Sequence, residues 1–162
     1  MRTGTPSSLV DAFDSDVLIY AAAPGHPLGE RVAALFPAHP LGSHGPVVGV
    51  GSVLLLPEVL SKPLRDGDAE AVRSLSELLV MIDLRPVDQL TAVKAALLGA
   101  RYKLRLADAM HLATAISMRA DRFITNNGRD FGPFIKEIDV TFPADLPGLR
   151  PSARPGRSSL PG

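Results

Sequence analysis

Short apolar runs alternate along the chain with segments in which apolar residues recur at the spacing of a helix. Runs rich in β-branched and aromatic residues predict strands at residues 9–13, 47–50, 81–84, 122–125 and 138–142. Apolar stripes and capping residues predict helices at residues 16–23, 28–36, 52–60, 68–79, 88–100 and 107–118, with Ser52 and Asp88 as N-caps. Strands separated by helices indicate a parallel sheet that is covered on both faces.

Acidic residues lie where these apolar segments begin or end. Asp14 and Asp16 follow the first strand, Glu58 follows the second, Asp108 begins the last helix, and Asp130 follows the fourth strand. Because ligands of such sheets bind beyond the carboxyl ends of the strands, we expect these acids to share one site. Buried carboxylates are costly unless they are paired or bound to a cation, and their oxygens suit Mg²⁺ or Mn²⁺. The pattern therefore predicts a metal-dependent enzyme.

Simpler roles compete for several of these positions. Asp14 is a good helix N-cap, and Asp108 could complement the dipole of the helix that it begins. His111 lies three residues after Asp108, on the same helix face, and we expect a buried or supporting histidine rather than a metal ligand. Thr125 and Asn127 are turn formers that could equally orient a ligand.

Composition narrows the class of protein. The chain has 162 residues, of which 46% are hydrophobic, as expected for one domain with a substantial core. Its net charge of zero excludes a global basic field, and the absence of cysteine excludes disulfides and thiolate metal sites. No signal peptide or membrane span is apparent, so we expect a cytoplasmic protein. Residues 1–8 are expected to be a flexible leader, and the Pro-, Arg- and Ser-rich residues 143–162 a disordered tail.

Four segments, taken in order, resemble the PIN domain, and in particular the small toxins of the VapC type. They are FDSDVLIYA, GSVLLLPEVL, KLRLADAMHLATAI and DRFITNNGRDF. The resemblance covers roughly residues 8–142, which is nearly the whole of the folded part predicted at residues 9–142. The family implies a three-layer α/β/α fold with a central, mostly parallel sheet of four to five strands. It also implies a ribonuclease that depends on Mg²⁺ or Mn²⁺.

The resemblance also suggests roles for individual residues. Asp14, Glu58 and Asp108 match the family's first three acids, and Asp16 and Ser52 match supporting positions. The chain departs from the family where Asn127 replaces the usual fourth acid, so that either Asn127 or Asp130 could approach the metal. Pro57 is a second departure, because in a helix that begins at Ser52 it would remove a backbone hydrogen bond. The candidates for contact with RNA phosphates are Arg101, Lys103, Arg105 and Arg129.

The family further implies a small antitoxin partner and a homodimer. Two alternatives stay open. A non-catalytic PIN scaffold that binds RNA or a protein is favoured by the departures at Asn127 and Pro57. A haloacid dehalogenase-like phosphatase would use Asp14 as nucleophile and Asp16 as acid/base, but the chain lacks that class's late acidic motif and a convincing lysine.

Overall fold

The structure is a computed structural model that describes residues 9–38 and 46–148. Its strands are β1 (Asp11–Phe13), β2 (Gly49–Ser52), β3 (Ile82–Arg85), β4 (Arg122–Ile124) and β5 (Asp139–Thr141). Its helices are α1 (Ser15–Ala22), α2 (Pro27–Ala33), α3 (Leu55–Asp66), α4 (Ala69–Leu79), α5 (Gln89–Tyr102) and α6 (Leu106–Ser117). The predicted leader and all of the predicted tail beyond residue 148 lie outside the described residues.

The strands form one parallel sheet in the order β3-β2-β1-β4-β5. Buried side chains of α1 to α4 pack on one face, and those of α5 and α6 pack on the other. The predicted three-layer α/β/α fold is therefore confirmed, and the sheet is parallel throughout. None of the described helices is both long and apolar enough to cross a membrane.

The order of the strands fixes where a ligand can bind. The chain passes from β1 outward to β2 and β3, and then returns to place β4 on the other side of β1. The connections that leave β1 and β4 therefore diverge, which opens a crevice beyond the carboxyl ends of these two strands. Asp14 follows β1 directly and Thr125 follows β4 directly. At the opposite end of the same strand pair, Arg122 donates two hydrogen bonds to the Asp11 carboxylate, of 2.8 and 2.9 Å.

Ser52 is not the helix cap that its sequence position predicts. It is the last residue of β2, where it pairs with Arg85 of β3, and the backbone N–H of Val53 continues the ladder by donating to the Arg85 carbonyl. Helix α3 begins only at Leu55. Pro57 is therefore the third residue of the helix, where a backbone N–H has no partner within the helix, and it removes no helical hydrogen bond. Glu58 keeps its place in the first turn.

The folded part also extends beyond the predicted boundary at residue 142. Pro143–Asp145 forms a short 3₁₀ helix, and the side chains of Pro143 and Leu146 are buried. Arg31 of α2 donates to the carbonyls of Ala144 and Leu146 at 2.6 and 2.9 Å. Residues 143–146 thus belong to the folded part, because a leucine and a proline of this polar segment are buried in the core.

Candidate active site

Asp14 is buried at the junction of β1 and α1, and both of its oxygens accept hydrogen bonds. Oδ1 accepts from the Ser15 backbone N–H at 2.8 Å, and Oδ2 accepts from the Thr125 hydroxyl at 2.8 Å. Burial raises the pKa of the Asp14 carboxyl, while the hydrogen bond from Thr125 acts in the opposite direction. The carboxylate that caps α1 therefore also lies at the crevice beyond the sheet.

A chain of hydrogen bonds runs from Asp14 to Asp130. The Thr125 hydroxyl, which donates to Asp14, accepts from the Asn127 backbone N–H at 3.1 Å. The side-chain amide of Asn127 then donates to Asp130 Oδ2 at 2.9 Å, and its carbonyl oxygen accepts from the Asp130 backbone N–H at 3.3 Å. Asn127 is therefore positioned to orient the Asp130 carboxylate.

Asp16 has one oxygen that no described residue satisfies. Its Oδ2 accepts from the Asn126 backbone N–H at 3.1 Å, whereas Oδ1 is buried and has no hydrogen-bond partner in the described part of the chain. Burial, followed by the nearby charge of Asp14, raises the pKa of Asp16 to about 7. A buried carboxylate oxygen without a partner is costly, and a cation or a water molecule would satisfy it.

Glu58 and His111 form a close pair between α3 and α6. His111 Nε2 donates to Glu58 Oε2 at 2.6 Å, and the His111 side chain is 1% exposed while that of Glu58 is 31% exposed. The hydrogen bond from His111 holds the pKa of Glu58 below its usual range, with a smaller contribution from the Ser15 hydroxyl. His111 is thus a buried residue that holds an acid, which is the placement the sequence predicts.

Asp108 shows that the acids share one electrostatic environment. It lies half-buried in the first turn of α6. Burial raises its pKa, and so do the charges of Asp14, Asp130 and Glu58, in that order. The pKa of Asp130 is instead lowered, first by Arg129 and then by Asn127. The structure therefore brings four acids that the sequence predicts into one acidic cluster, which consists of Asp14, Glu58, Asp108 and Asp130.

The acidic cluster suits a hard divalent cation by its chemistry, although its side chains are not arranged around one. In residues 9–38 and 46–148, no three His, Asp or Glu side chains are placed to hold a metal ion as they stand. Asp14, Glu58 and Asp130 each have at least one carboxylate oxygen that already accepts a hydrogen bond from another residue of the protein. The unsatisfied oxygen of Asp16 and the mutual repulsion of the acids nevertheless fit a group that supplies positive charge.

Ser52 directly precedes the turn into α3, and the four basic residues predicted to contact RNA differ in their partners. The Ser52 hydroxyl is buried and accepts from the Leu54 backbone N–H at 3.2 Å, which shapes the turn into α3 ahead of Glu58. Arg129 lies 3.2 Å from Asp130, and Arg105 lowers the pKa of the same acid. Arg101 is paired with Glu137 at 2.7 Å instead, and Lys103 ends α5 in a left-handed conformation with φ of 56°.

Sequence reasoning missed Ser15 and the backbone role of Asn126. Ser15 lies between the two acids of the Asp-Ser-Asp segment, and its backbone and hydroxyl serve Asp14 and Glu58 respectively. Asn126 contributes only a backbone N–H to Asp16. The position of Ser15 beside a capping acid was the one available signal, whereas a backbone donor leaves no trace in a side-chain pattern.

Comparison with known proteins gives a consistent result. The profile of the PIN domain matches residues 12–132. A toxin–antitoxin complex from Klebsiella pneumoniae is similar at 25% identity with a TM-score of 0.63, over 83% of this chain and 97% of that one. The FitAB complex bound to an IR36 DNA fragment is similar at 20% identity and a TM-score of 0.62, over 87% and 100% of the two chains.

A third solved structure is VapBC2 from Rickettsia felis bound to a DNA fragment from its promoter. It is 13% identical with a TM-score of 0.60, over 83% of this chain and 98% of that one. Because their identities are only 20% and 13%, the similarity to the FitAB and Rickettsia structures supports the fold and nothing beyond it. No curated protein matches the chain.

Proposed function

Because the chain belongs to the PIN domain family, we propose that it is a metal-dependent endoribonuclease that acts as the toxin of a toxin–antitoxin pair. The observation that carries the proposal is the acidic cluster at the crevice between β1 and β4. Burial and like charge raise the pKa values of Asp14 and Asp108, which is the environment expected for carboxylates that bind a cation. An RNA substrate would place the protein in the cytoplasm.

In this proposal Asp14, Glu58 and Asp108 hold Mg²⁺ or Mn²⁺, and Asp130 assists. When bound, such an ion lowers the pKa of a water molecule and neutralises charge on the phosphate. Neighbouring residues of the protein hold the carboxylates that would bind this ion in fixed orientations. Thr125 fixes Asp14, His111 fixes Glu58, and Asn127 fixes Asp130, each through a hydrogen bond of 2.6 to 2.9 Å.

Two further groups have proposed roles at the edges of the cluster. Asp16 offers its unsatisfied oxygen to the ion or to a bound water molecule. Arg105 and Arg129 lie beside Asp130 and are placed to contact the phosphates of the substrate. Single-stranded or loop RNA is the expected substrate, because its bases are accessible.

The test is cleavage of a structured RNA with Mg²⁺ or Mn²⁺ by the wild type, Asp14→Asn and Asp108→Asn. Asparagine is also a good N-cap, so Asp14→Asn should keep α1 and the fold. We expect each variant to lose at least about a hundredfold in rate, as is typical when a group that stabilises the transition state is removed. Asp139→Asn, which removes an exposed acid of β5, is the matched control. Undiminished cleavage by Asp14→Asn or Asp108→Asn would sink the assignment.

An antitoxin partner is supported by a groove between α1, α3 and α4. The groove has a volume of about 490 Å³, its walls include Ile19, Val59 and Leu75, and it reaches Glu58. The acidic side chains of Asp68 and Glu70 also line it, while Asp66 pairs with Lys62 of the same wall at 2.6 Å, so the fitting partner is an apolar segment that carries basic residues. Co-purification with the product of a neighbouring reading frame, and loss of that complex in Ile19→Glu, would test the assignment.

A homodimer is supported by helix α5. Leu90, Val93 and Leu97 form a stripe along this helix and are 54 to 80% exposed. Apolar stripes of this kind on a folded domain usually mark a contact surface. Sedimentation of the wild type as a dimer and of Leu97→Glu as a monomer is the expected result, and a monomeric wild type would contradict it.

A non-catalytic PIN scaffold is the second candidate. It is favoured by Asn127 at the position of the fourth acid, and by the lack of a preformed three-ligand site in the described residues. Titration calorimetry with Mn²⁺ separates the two candidates. Binding that is lost in Asp108→Asn supports the nuclease, and absence of binding by the wild type supports the scaffold.

A further inference from the structure

A large aromatic side chain stands exposed just beyond the acidic cluster. Phe134 lies four residues after Asp130, in the connection between β4 and β5, and is 48% exposed. The Tyr102 ring, at the end of α5, lies 6.0 Å from the Phe134 ring between centroids and is tilted by 50°. Phe134 therefore leaves about half of its surface in contact with water, where apolar surface costs free energy.

The surroundings of this aromatic pair restrict its movement. Tyr102 Oη donates to Glu137 Oε2 at 2.7 Å, and Arg101 donates to the other oxygen of Glu137 at 2.7 Å. A methyl group at Gly132 would lie 2.9 Å from Phe134 Cε1, so this glycine lets the ring lie close to the backbone. The two rings are therefore held in place as a surface, which lowers the entropy cost of binding a flat partner.

The same surface carries an excess of positive charge. Lys103, Arg105 and Lys136 are exposed and form no ion pair with any residue of the described ranges. The protein as a whole is neutral, with 17 basic and 17 acidic residues, so this concentration is local. Arg105 also links the surface to the acidic cluster, because its charge lowers the pKa of Asp130.

We propose that Phe134 and Tyr102 form a stacking platform for a base of single-stranded RNA, with Lys103, Arg105 and Lys136 contacting the flanking phosphates. The inference rests on the proposed nuclease function and names the surface that binds the strand beside the cleavage site. Aromatic faces combined with unpaired cations are the usual means of holding single strands without strict sequence preference. An apolar protein partner would leave the three unpaired cations without a role.

The experiment measures binding of a fluorescent single-stranded RNA 12-mer to the full chain in EDTA, which prevents metal-dependent cleavage. Loss of a stacked base typically costs about tenfold or more in affinity. Phe134→Leu should therefore weaken binding about tenfold without changing the salt dependence. A combined Lys103→Gln and Lys136→Gln variant should weaken binding and also flatten the salt dependence. Val80→Ala, which trims an exposed apolar residue after α4, is the matched control.

Three outcomes would overturn the platform. One is affinity of Phe134→Leu within twofold of wild type, and a second is an equal loss for single-stranded and duplex RNA. The third is intact RNA affinity together with loss of a co-purifying protein, which would make the surface a protein interface. A thermal melt checks that Phe134→Leu is folded. Failure of the nuclease proposal is separate, because it would appear as unchanged cleavage by Asp14→Asn whatever the affinity of Phe134→Leu.

Discussion

Glu58 Oε2 lies 2.6 Å from His111 Nε2, although the two residues are 53 positions apart in the chain. The histidine of α6 is buried and the glutamate of α3 is partly exposed, so the pair joins a buried side chain to one that solvent can reach. One glutamate oxygen is thereby held in place by the histidine. A hydrogen bond to a charged group is stronger than a neutral one, and it fixes the side chain accordingly.

Replacing His111 should therefore release Glu58. We expect His111→Leu to raise the pKa of Glu58 back toward its usual range, because the main cause of its lowering is the hydrogen bond from His111. Carboxyl carbon chemical shifts followed through a pH titration measure the change. His26→Asn removes a different histidine and preserves the cap of α2, so it serves as the control. An unchanged Glu58 titration in His111→Leu would contradict the prediction.

Asp16 should make the metal-free protein less stable as the pH rises. Its pKa is raised from 3.8 to about 7, so the folded protein binds this proton more tightly than the unfolded chain. The resulting stabilisation is complete below about pH 4 and is lost as the pH rises through about 7.

The variant Asp16→Asn should remove this dependence. At pH 8 we expect it to be more stable than the wild type by about 1–2 kcal/mol, since the carboxyl is partly solvated. Urea unfolding in EDTA from pH 4 to pH 8 measures the difference, with Asp139→Asn as the exposed-acid control. Parallel pH profiles for the wild type and Asp16→Asn would count against the raised pKa.

Thr125 should contribute to stability through its hydroxyl alone. Thr125→Val keeps the shape of the side chain but leaves Asp14 Oδ2 without its donor and the Asn127 N–H without its acceptor. We expect the free energy of unfolding to fall by about 1–3 kcal/mol, and the pKa of Asp14 to rise further. Thr125→Ser retains the hydroxyl and should stay close to wild type in both measurements. Equal losses in the two variants would show that the methyl group matters instead.

The Asp11–Arg122 pair should show strong coupling. Asp11 is buried, and its two oxygens each accept a hydrogen bond from Arg122 across β1 and β4. Arg122→Leu leaves a buried charge without its partner and should cost about 3–5 kcal/mol. The double variant, Asp11→Asn with Arg122→Leu, should lose clearly less free energy of unfolding than the sum of the losses in the two single variants. Additive losses in chemical denaturation would mean that the pair is not a unit.

Much of the fold is already determined by local features of the sequence. The alternation of apolar runs and helical stripes indicates the order of strands and helices, and Asp88 caps α5 as predicted. These features can be predicted because they depend on neighbours within a few positions, where side-chain period and capping act. The motif segments of the PIN domain add the identity and order of the four acids.

Ser52 shows where local reasoning fails. Its capping preference is worth about 1 kcal/mol, and the chain instead extends β2 through Ser52 to pair with Arg85. The hydrogen bonds and burial of the sheet outweigh the cap, and the start of α3 moves to Leu55. Pro143 and Leu146 are similar cases, because a segment of disordered composition still buries two side chains in the core.

Some features of the acidic site likewise follow from the sequence, whereas others arise only on folding. Which acids are available, and that they lie at the ends of core elements, follows from the order of residues along the chain. The pairing of His111 with Glu58 and of Thr125 with Asp14, and the unsatisfied oxygen of Asp16, arise only when the chain has folded. The physical reason is that such partners are set by the packing of distant elements around one sheet, and no periodicity along the chain encodes which side chains will meet there.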